Sequence, residues 1–268
     1  MGYVLESVRE FDRLERQSTF TGYDFSREWS LAGLAVPPGA AVLDAGCGSG
    51  TVTRQLARTF PRSQVTGCDA SQQRLERARE TAAGMPNVRF VHQDISHLSF
   101  PESTFDVVVC RYVMQHVLPG RRQAALRELR RCLKPGGSLC VVDFDGTLYN
   151  LYPQPPFLAD ALERMERSFP VDLRIGRKLP SMLAAVGFTR VTWKIDLVEC
   201  RGLELQQEAE MLEERLSSAQ APMAAFLGSA EAAQRVKDEY METLQDPGAV
   251  LFYNKFVVTG VKPDVAMA

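Results

Sequence analysis

The segment Val42-Leu43-Asp44-Ala45-Gly46-Cys47-Gly48-Ser49-Gly50 constrains this chain more than any other. An apolar run ends on a carboxylate, and three glycines at alternate positions follow before a helical pattern opens at Thr51. Such a stretch reads as a buried strand, a tight turn and a helix N-terminus, because glycine reaches backbone conformations closed to other residues. A helix that starts there offers unpaired backbone N–H groups. The same rhythm repeats downstream. Apolar runs at 41–45, 64–68, 88–92, 105–110 and 138–144 predict buried strands, and the stretches at about 50–59, 71–83 and 121–133 predict helices between them. Strand and helix in alternation imply an α/β fold, a parallel sheet with helices on both faces.

Outside that rhythm the pattern changes. Residues 4–18 and 26–35 read as amphipathic helices, the first carried by Val4, Leu5, Val8, Phe11 and Leu14. Pro37-Pro38-Gly39 ends the second. These boundaries predict an N-terminal helical lid at 1–36 and a core at 37–268, with cap insertions at about 145–175 and 203–246. The first insertion is rich in Tyr, Phe and Pro and too long for an ordinary connection. The second is mostly helical, with Leu205, Ala209, Leu212 and Leu216 in one stripe. Before it, Val191, Trp193, Ile195 and Leu197 alternate as in a strand with one buried face, and a last strand is expected at 249–260.

Composition narrows the class. The chain has 268 residues, a formal charge of −2 and 45% hydrophobic residues, enough for an independent core. That charge gives no general electrostatic reason to bind nucleic acid or anionic membrane. The arginines 121, 122, 127, 130 and 131, and the acidic run Glu204, Glu208, Glu210, Glu213 and Glu214, read as solvated helix faces. No apolar run is long enough to span a bilayer, the N-terminus lacks a signal-peptide layout, and Glu6 stands where a myristoylation motif needs Ser or Thr. The six cysteines form no CxxC pair and no metal-ligand spacing. A reduced, cytoplasmic protein without a metal is expected.

The glycine turn reads GxGxG, with Thr51 where a dinucleotide-binding fingerprint places its third glycine. Asp44 before the turn would repel a pyrophosphate and suits a ligand bearing an ammonium or sulfonium charge. Asp69 ends the second strand, 19 residues after Gly50, where a carboxylate can accept ribose hydroxyls. Asp94 follows the third strand and can receive an adenine amine while Ile95 packs on the ring. Taken singly, Asp69 and Asp94 read more often as helix N-caps than as ligand contacts. Arg111 either lines the pocket or forms a surface ion pair. Asp143 and Asp145, at the end of the fifth strand, either anchor a substrate amine or cap the next segment. His92 and His97 lack metal-ligand spacing and read as structural.

In register, VLDAGCGSG, GCDAS at 67–71, VHQDI at 91–95, FDVVVCRYVMQH at 105–116 and LKPGGSL at 133–139 resemble the class I S-adenosylmethionine-dependent methyltransferases, of the small-molecule type with a UbiE-like core. The resemblance is strong over about 40–145 and extends toward the C-terminus. It implies a three-layer, Rossmann-like sheet of seven strands with the last antiparallel, plus helical cap insertions. It implies S-adenosylmethionine as cofactor and S-adenosylhomocysteine as product. Gly46 and Gly48 would pack on the methionine moiety, Asp69 would hold the ribose with Ala70 beside it, and Asp94 with Ile95 would hold the adenine. Asp44 and Arg111 would border the methionine part and the reaction centre.

Two catalytic candidates follow from the same resemblance. His116, just after the fourth strand, is the side chain that titrates near neutrality and so suits a general base, with a packing role as the alternative. Tyr23 belongs to an early segment whose tyrosines reach the sulfonium region. The implied reaction is in-line displacement at the methyl group, with a small organic metabolite as acceptor through O, N or C in a capped apolar pocket, as in specialised metabolism. The stretch Cys110-Arg111-Tyr112-Val113 lacks the Asp/Asn-Pro-Pro-Tyr run of base and glutamine N-methyltransferases. Two other readings stay open: methylation of a protein or RNA, and a non-catalytic regulatory module that binds S-adenosylmethionine. No nucleic-acid or membrane partner is expected.

Overall fold

The computed structural model of the chain describes residues 16–17 and 20–264. The helix expected at 4–18, with its stripe Val4, Leu5, Val8, Phe11 and Leu14, lies outside the described residues except for 16–17. The chain divides into two compact units. A core unit takes Phe25–Asp143, Ile175–Asp196 and the chain from Phe256 onward. A second unit takes the described residues up to Asp24, with Phe144–Arg174 and Leu197–Lys255.

The core unit opens with helix α1 (Phe25–Ala32) and strand β1 (Ala41–Ala45), followed by α2 (Thr51–Thr59), β2 (Gln64–Asp69), α3 (Gln72–Thr81) and β3 (Val88–His92). Strand β4 (Phe105–Arg111), helix α4 (Pro119–Cys132) and the long β5 (Leu133–Asp145) come next. Helix α6 (Leu179–Ala185), β7 (Thr189–Cys200) and β8 (Val250–Val261) complete the core, β7 and β8 each running across a unit boundary. The sheet order is β3-β2-β1-β4-β5-β8-β6, with β7 paired to β8. Pairings from β3 through β5 are parallel. The sheet has eight strands where seven are expected, the addition being the two-residue β6 (Leu151–Tyr152), antiparallel to β8.

Burial explains why the sequence reads as continuous apolar runs. In β1, Val42 to Ala45 are all buried because helices cover both sheet faces. Leu43, Val108, Leu139 and Val141 pack with Leu126 and Leu129 of α4 and Leu183 of α6. Val42, Val65, Val107 and Val109 pack with Phe25 of α1 and Val52 and Leu56 of α2. Each such side chain contributes about 1.5–3 kcal/mol. All six cysteines are free and buried, and burial holds their thiols above the usual range, so they act as small core hydrophobes. Among the described residues no helix is long and apolar enough to cross a membrane.

Two expectations are corrected here. The alternation through Val191, Trp193, Ile195 and Leu197 predicts the buried face of β7; Val191 packs against the core, but beyond it the structure reverses the faces. Trp193, Ile195 and Leu197 are 54%, 46% and 43% exposed, whereas Asp196, Val198 and Cys200 are buried. Asp196 turns inward to meet Arg27 of α1 at 2.6 Å, and Trp193 keeps only a tilted contact with Phe256. Period-two alternation distinguishes two faces without saying which one meets the layer. The basic run of α4 is likewise not one solvated face. Arg122 is buried with Nε donating to the Val117 carbonyl, and Arg131 donates to the carbonyls of Leu98 and Phe100.

The second unit holds β6, α5 (Pro156–Ser168), α7 (Leu203–Ser218), α8 (Gln220–Leu227) and α9 (Ala230–Thr243). Residues 145–175 thus contain a strand and a helix of their own. Leu158, Leu162 and Met165 of α5, Met211, Leu212 and Leu216 of α7, and Val236 and Tyr240 of α9 are buried.

Gly67 of β2 offers a test of how tightly the turn beneath the sheet edge is packed. A Cβ there would lie 2.7 Å from the Phe90 ring and 2.9 Å from Cys47 Sγ. Gly67→Ala is expected to destabilise the fold by about 1–3 kcal/mol in urea unfolding, and Phe90→Leu in the same chain to recover part of the loss.

Candidate cofactor and active site

The turn after β1 is pinned to β2. Gly46 N and Cys47 N both donate to the Cys68 carbonyl, at 2.7 and 2.9 Å. Gly46, Gly48 and Gly50 have φ of +77°, +54° and +79°, conformations that L side chains rarely adopt. Their surroundings differ. A Cβ on Gly46 would strike Val113 at 2.4 Å, whereas one on Gly48 would meet nothing within 4 Å. Gly46 therefore serves close packing, and Gly48 leaves an open cradle at the start of α2.

Four carboxylates lie on or just beyond the carboxyl ends of β1 to β3 and on α1. Asp44 is buried and accepts from Thr53 Oγ1 at 2.6 Å. Burial pushes its pKa up to about 6, with the Thr53 hydrogen bond and the Arg111 charge opposing. Asp69 accepts from Gly48 N at 2.8 Å and from Ser71 N at 2.9 Å, and so braces the glycine turn. The N-cap of α3 is Ser71, whose Oγ accepts from Arg74 N. Gln93 N donates to the Asp69 carbonyl, which holds Asp94 one residue further along. Asp94 accepts from Ser96 N and from Arg121, each at 2.8 Å. Burial is the largest single influence and raises its pKa, but Ser96 and Arg121 together outweigh it and hold the carboxyl below its usual value. Ile95 is buried in the core cluster with Leu98 and Phe100. Ala70 is exposed, and its carbonyl lies 2.8 Å from His92 Nε2.

The fourth carboxylate was not legible as a site residue. Glu28 of α1 is fully buried against Arg111, with Nε at 2.5 Å and Nη2 at 3.0 Å. Tyr112 donates to the same carboxylate at 2.7 Å and lies 4.2 Å beneath the guanidinium. Arg111 is thus neither an open pocket wall nor half of a surface pair, but the partner of a buried acid. The signal is spacing: Glu28 stands three residues after Phe25, on the stripe of α1 that packs inward.

The catalytic candidates fall in different units. His116 belongs to the core unit, half-buried in the short turn Met114–His116. Buried Asp143 caps that turn by accepting from Gln115 N at 3.1 Å. Tyr23 belongs to the second unit, where its hydroxyl lies 3.1 Å from both oxygens of Glu208 and accepts from Arg215 at 2.9 Å. Burial raises its pKa to about 12, with Arg215 opposing, so the phenol stays protonated and donates. Asp145, also in the second unit, is buried 4.0 Å from Arg174. Glu208 corrects another expectation: it is 4% exposed rather than part of a solvated face. It precedes Leu212 and Leu216 by four and eight residues, on the inward stripe of α7.

Known proteins share this core. Residues 42–137 match the family model of a methyltransferase domain. A demethylmenaquinone methyltransferase of Staphylococcus aureus is 33% identical over 136 residues. That alignment covers 50% of this chain and 56% of the relative, so the chain spans little more than half the length of the relatives it matches. Among solved structures, a Haemonchus contortus phosphoethanolamine N-methyltransferase in complex with phosphomonomethylethanolamine and S-adenosylhomocysteine aligns with a TM-score of 0.57 and 21% identity, over 90% of this chain and 53% of that one. The cyclase SpnF aligns with a TM-score of 0.56 and 24% identity, over 89% and 80%. Those two likenesses concern the fold alone, on which methyl transfer and cyclisation both occur. The family match thus places the likeness to a methyltransferase domain within the core unit, over the glycine turn and strands β1 to β4.

The residues present fit that family's cofactor. Space is open at Gly48, where a Cβ would meet nothing within 4 Å, and the carboxylates of Asp44 and Asp69 beside the turn suit a cationic sulfur. Asp44 also yields a test of sign. Its pKa is raised from 3.8 to about 6, so the folded state is penalised above pH 6 and relieved as pH falls toward 3.8. Asp44→Asn is expected to raise thermal stability at pH 8, by up to about 3 kcal/mol before the loss of the Thr53 bond, and by about half as much at pH 5. Melting temperatures of both proteins across that range check it.

Proposed function

We propose that the protein is an enzyme that transfers the methyl group of S-adenosylmethionine to a small organic metabolite. The open cradle at Gly48, braced by Asp69 and bordered by Asp44, is the observation that carries this reading. When bound, the cofactor supplies an electrophilic methyl group on a sulfonium and departs as S-adenosylhomocysteine.

The chain's own part is alignment, charge and proton handling. Gly48 lets the backbone approach the methionine portion, with Gly46 packed on Val113 beside it. Asp69, oriented by two backbone N–H groups, accepts the ribose hydroxyls, with Ala70 beside it. Asp94 receives the adenine amine and Ile95 supports the ring. Asp44, its charge tempered by Arg111, favours the positive sulfur. Placing a nucleophile in line with the methyl group is worth several kcal/mol, up to about 7–11. An amine acceptor needs little further help. A hydroxyl acceptor needs a base, for which His116 is the candidate, while Tyr23 serves as a hydrogen-bond donor.

A small acceptor rather than a macromolecule is supported by the relatives named above, a demethylmenaquinone methyltransferase and a phosphoethanolamine N-methyltransferase bound to phosphomonomethylethanolamine. In this reading residues 1–36 form a lid, and the stretches at 145–175 and 203–246 form caps.

The test is transfer of labelled methyl from S-adenosylmethionine in the presence of a cell extract split by size. Label is expected in the small-molecule fraction, where mass analysis identifies the product; label confined to protein or RNA overturns the acceptor class. Asp69→Ala is expected to weaken calorimetric S-adenosylhomocysteine affinity about tenfold or more, through loss of a charged hydrogen-bond acceptor. Unchanged affinity in the folded variant removes Asp69 from the site.

A further inference from the structure

We propose that Glu28 is a positioning residue for the cofactor's charge: it holds the Arg111 guanidinium away from Asp44, so that the Asp44 carboxylate stays available to a positive sulfur. The inference rests on the reading of Asp44 as a border of the cofactor site, and every side chain it uses belongs to the core unit.

The sheet sets up a competition. Asp44 of β1 lies in register with Val109 of β4, and Arg111 follows Val109 by two residues. Side chains two apart on a strand share a face, so Arg111 comes to the same face as Asp44. That face is the one covered by Phe25 of α1 and Val52 of α2. A guanidinium matches a carboxylate with two parallel hydrogen bonds, and two acids on this face compete for it. Glu28 takes it, with Nε at 2.5 Å and Nη2 at 3.0 Å. Asp44 instead accepts from the neutral hydroxyl of Thr53 at 2.6 Å, and Arg111 acts on it through charge. Burial raises the Asp44 pKa to about 6, which leaves it ionised at neutral pH.

Tyr112 fixes the choice. Its φ is +57°, in the left-handed region that a residue with a side chain enters at a cost. From there its hydroxyl donates to Glu28 Oε1 at 2.7 Å and lies 3.2 Å from Arg111 Nη2, while its ring lies 4.2 Å beneath the guanidinium. The arginine is thus gripped from two sides on the acid that is fully buried.

Docking of α1 alone does not need this acid. Phe25 is already buried with Val42, Val52 and Val109, Trp29 packs against the same cluster, and Arg27 pairs with Asp196 of β7. Apolar side chains of similar volume often serve as well as a buried ion pair. What an apolar residue at position 28 cannot do is answer the charge of Arg111.

The test is the ratio of S-adenosylmethionine to S-adenosylhomocysteine affinity, measured by calorimetry on the full chain at neutral pH. The two ligands differ by one methyl group and one positive charge at sulfur, so a general disturbance of the fold weakens both and leaves the ratio in place. Glu28→Gln is expected to lower the ratio about fivefold or more, because the released guanidinium then faces Asp44. The double variant Glu28→Gln with Arg111→Gln is expected to return it to within about twofold of the unaltered chain, and in an Asp44→Asn background Glu28→Gln is expected to leave it unmoved. Tyr112→Phe keeps both charges and removes the hydroxyl between them; it is expected to lower the ratio about twofold, and it decides the question where Glu28→Gln fails to fold. An unchanged ratio in the folded variant, or one that stays low when Arg111 is removed as well, overturns the proposal. Failure of the unaltered chain to bind either ligand overturns the cofactor reading itself, and this inference with it. Binding of both with an unmoved ratio leaves that reading standing and removes Glu28 from it.

Discussion

Two backbone hydrogen bonds, from Gly46 N and Cys47 N to the Cys68 carbonyl, carry the chain out of β1 and across the end of β2. What lies at that edge of the core follows from this pin. Because Cys68 is held, the next residue, Asp69, is placed to brace Gly48, and Gln93 N on the Asp69 carbonyl then fixes the approach of Asp94. Only a backbone with positive φ at Gly46, Gly48 and Gly50 completes such a turn in five residues. The sequence element that looks most flexible is therefore among the most constrained.

Around this turn the molecule keeps carboxylates where their charge is expensive. Asp44 is tempered by Thr53 and Arg111, and Glu28 by Arg111 and Tyr112. In the second unit Glu208 is tempered by Arg215 and two tyrosines. Apolar residues of similar volume would often be as stable or more so at such positions. Retaining charge there makes sense when the charge acts on something else, as the carboxylate of Asp44 would on a positive sulfur in the proposed reading.

The parts of the fold legible in the sequence are those where one cause dominates. β1 to β5 show as apolar runs because burial on both faces leaves a single composition to find. The turn shows because only glycine serves there. β7 shows its alternation through Trp193 and Ile195 but not its polarity, since the ion pair of Asp196 with Arg27 decides which face turns inward and joins residues far apart in sequence. Glu28 and Glu208 were hidden for a related reason. Each occupies an apolar stripe of an amphipathic helix, and a lone acid there looks like a fault in the stripe until its arginine, 83 residues away for Glu28, is found. Arg122 was misjudged in the same way, as a surface cation that turns out to be buried against the Val117 carbonyl, and Arg111, read as a pocket residue or a surface ion pair, is held by the buried Glu28.

The acid–base inventory bears on which acceptor the site can serve. Tyr23, with its pKa near 12 beside Glu208, holds its proton through the physiological range and cannot take one from a hydroxyl acceptor. Asp44 titrates near 6, but it is buried and bound to Thr53, so it responds to charge rather than receiving a substrate proton. Neither group can therefore serve a hydroxyl acceptor as its base. An amine presented as its neutral form needs no such base, because its lone pair attacks the methyl group directly and the surplus proton leaves to water afterwards.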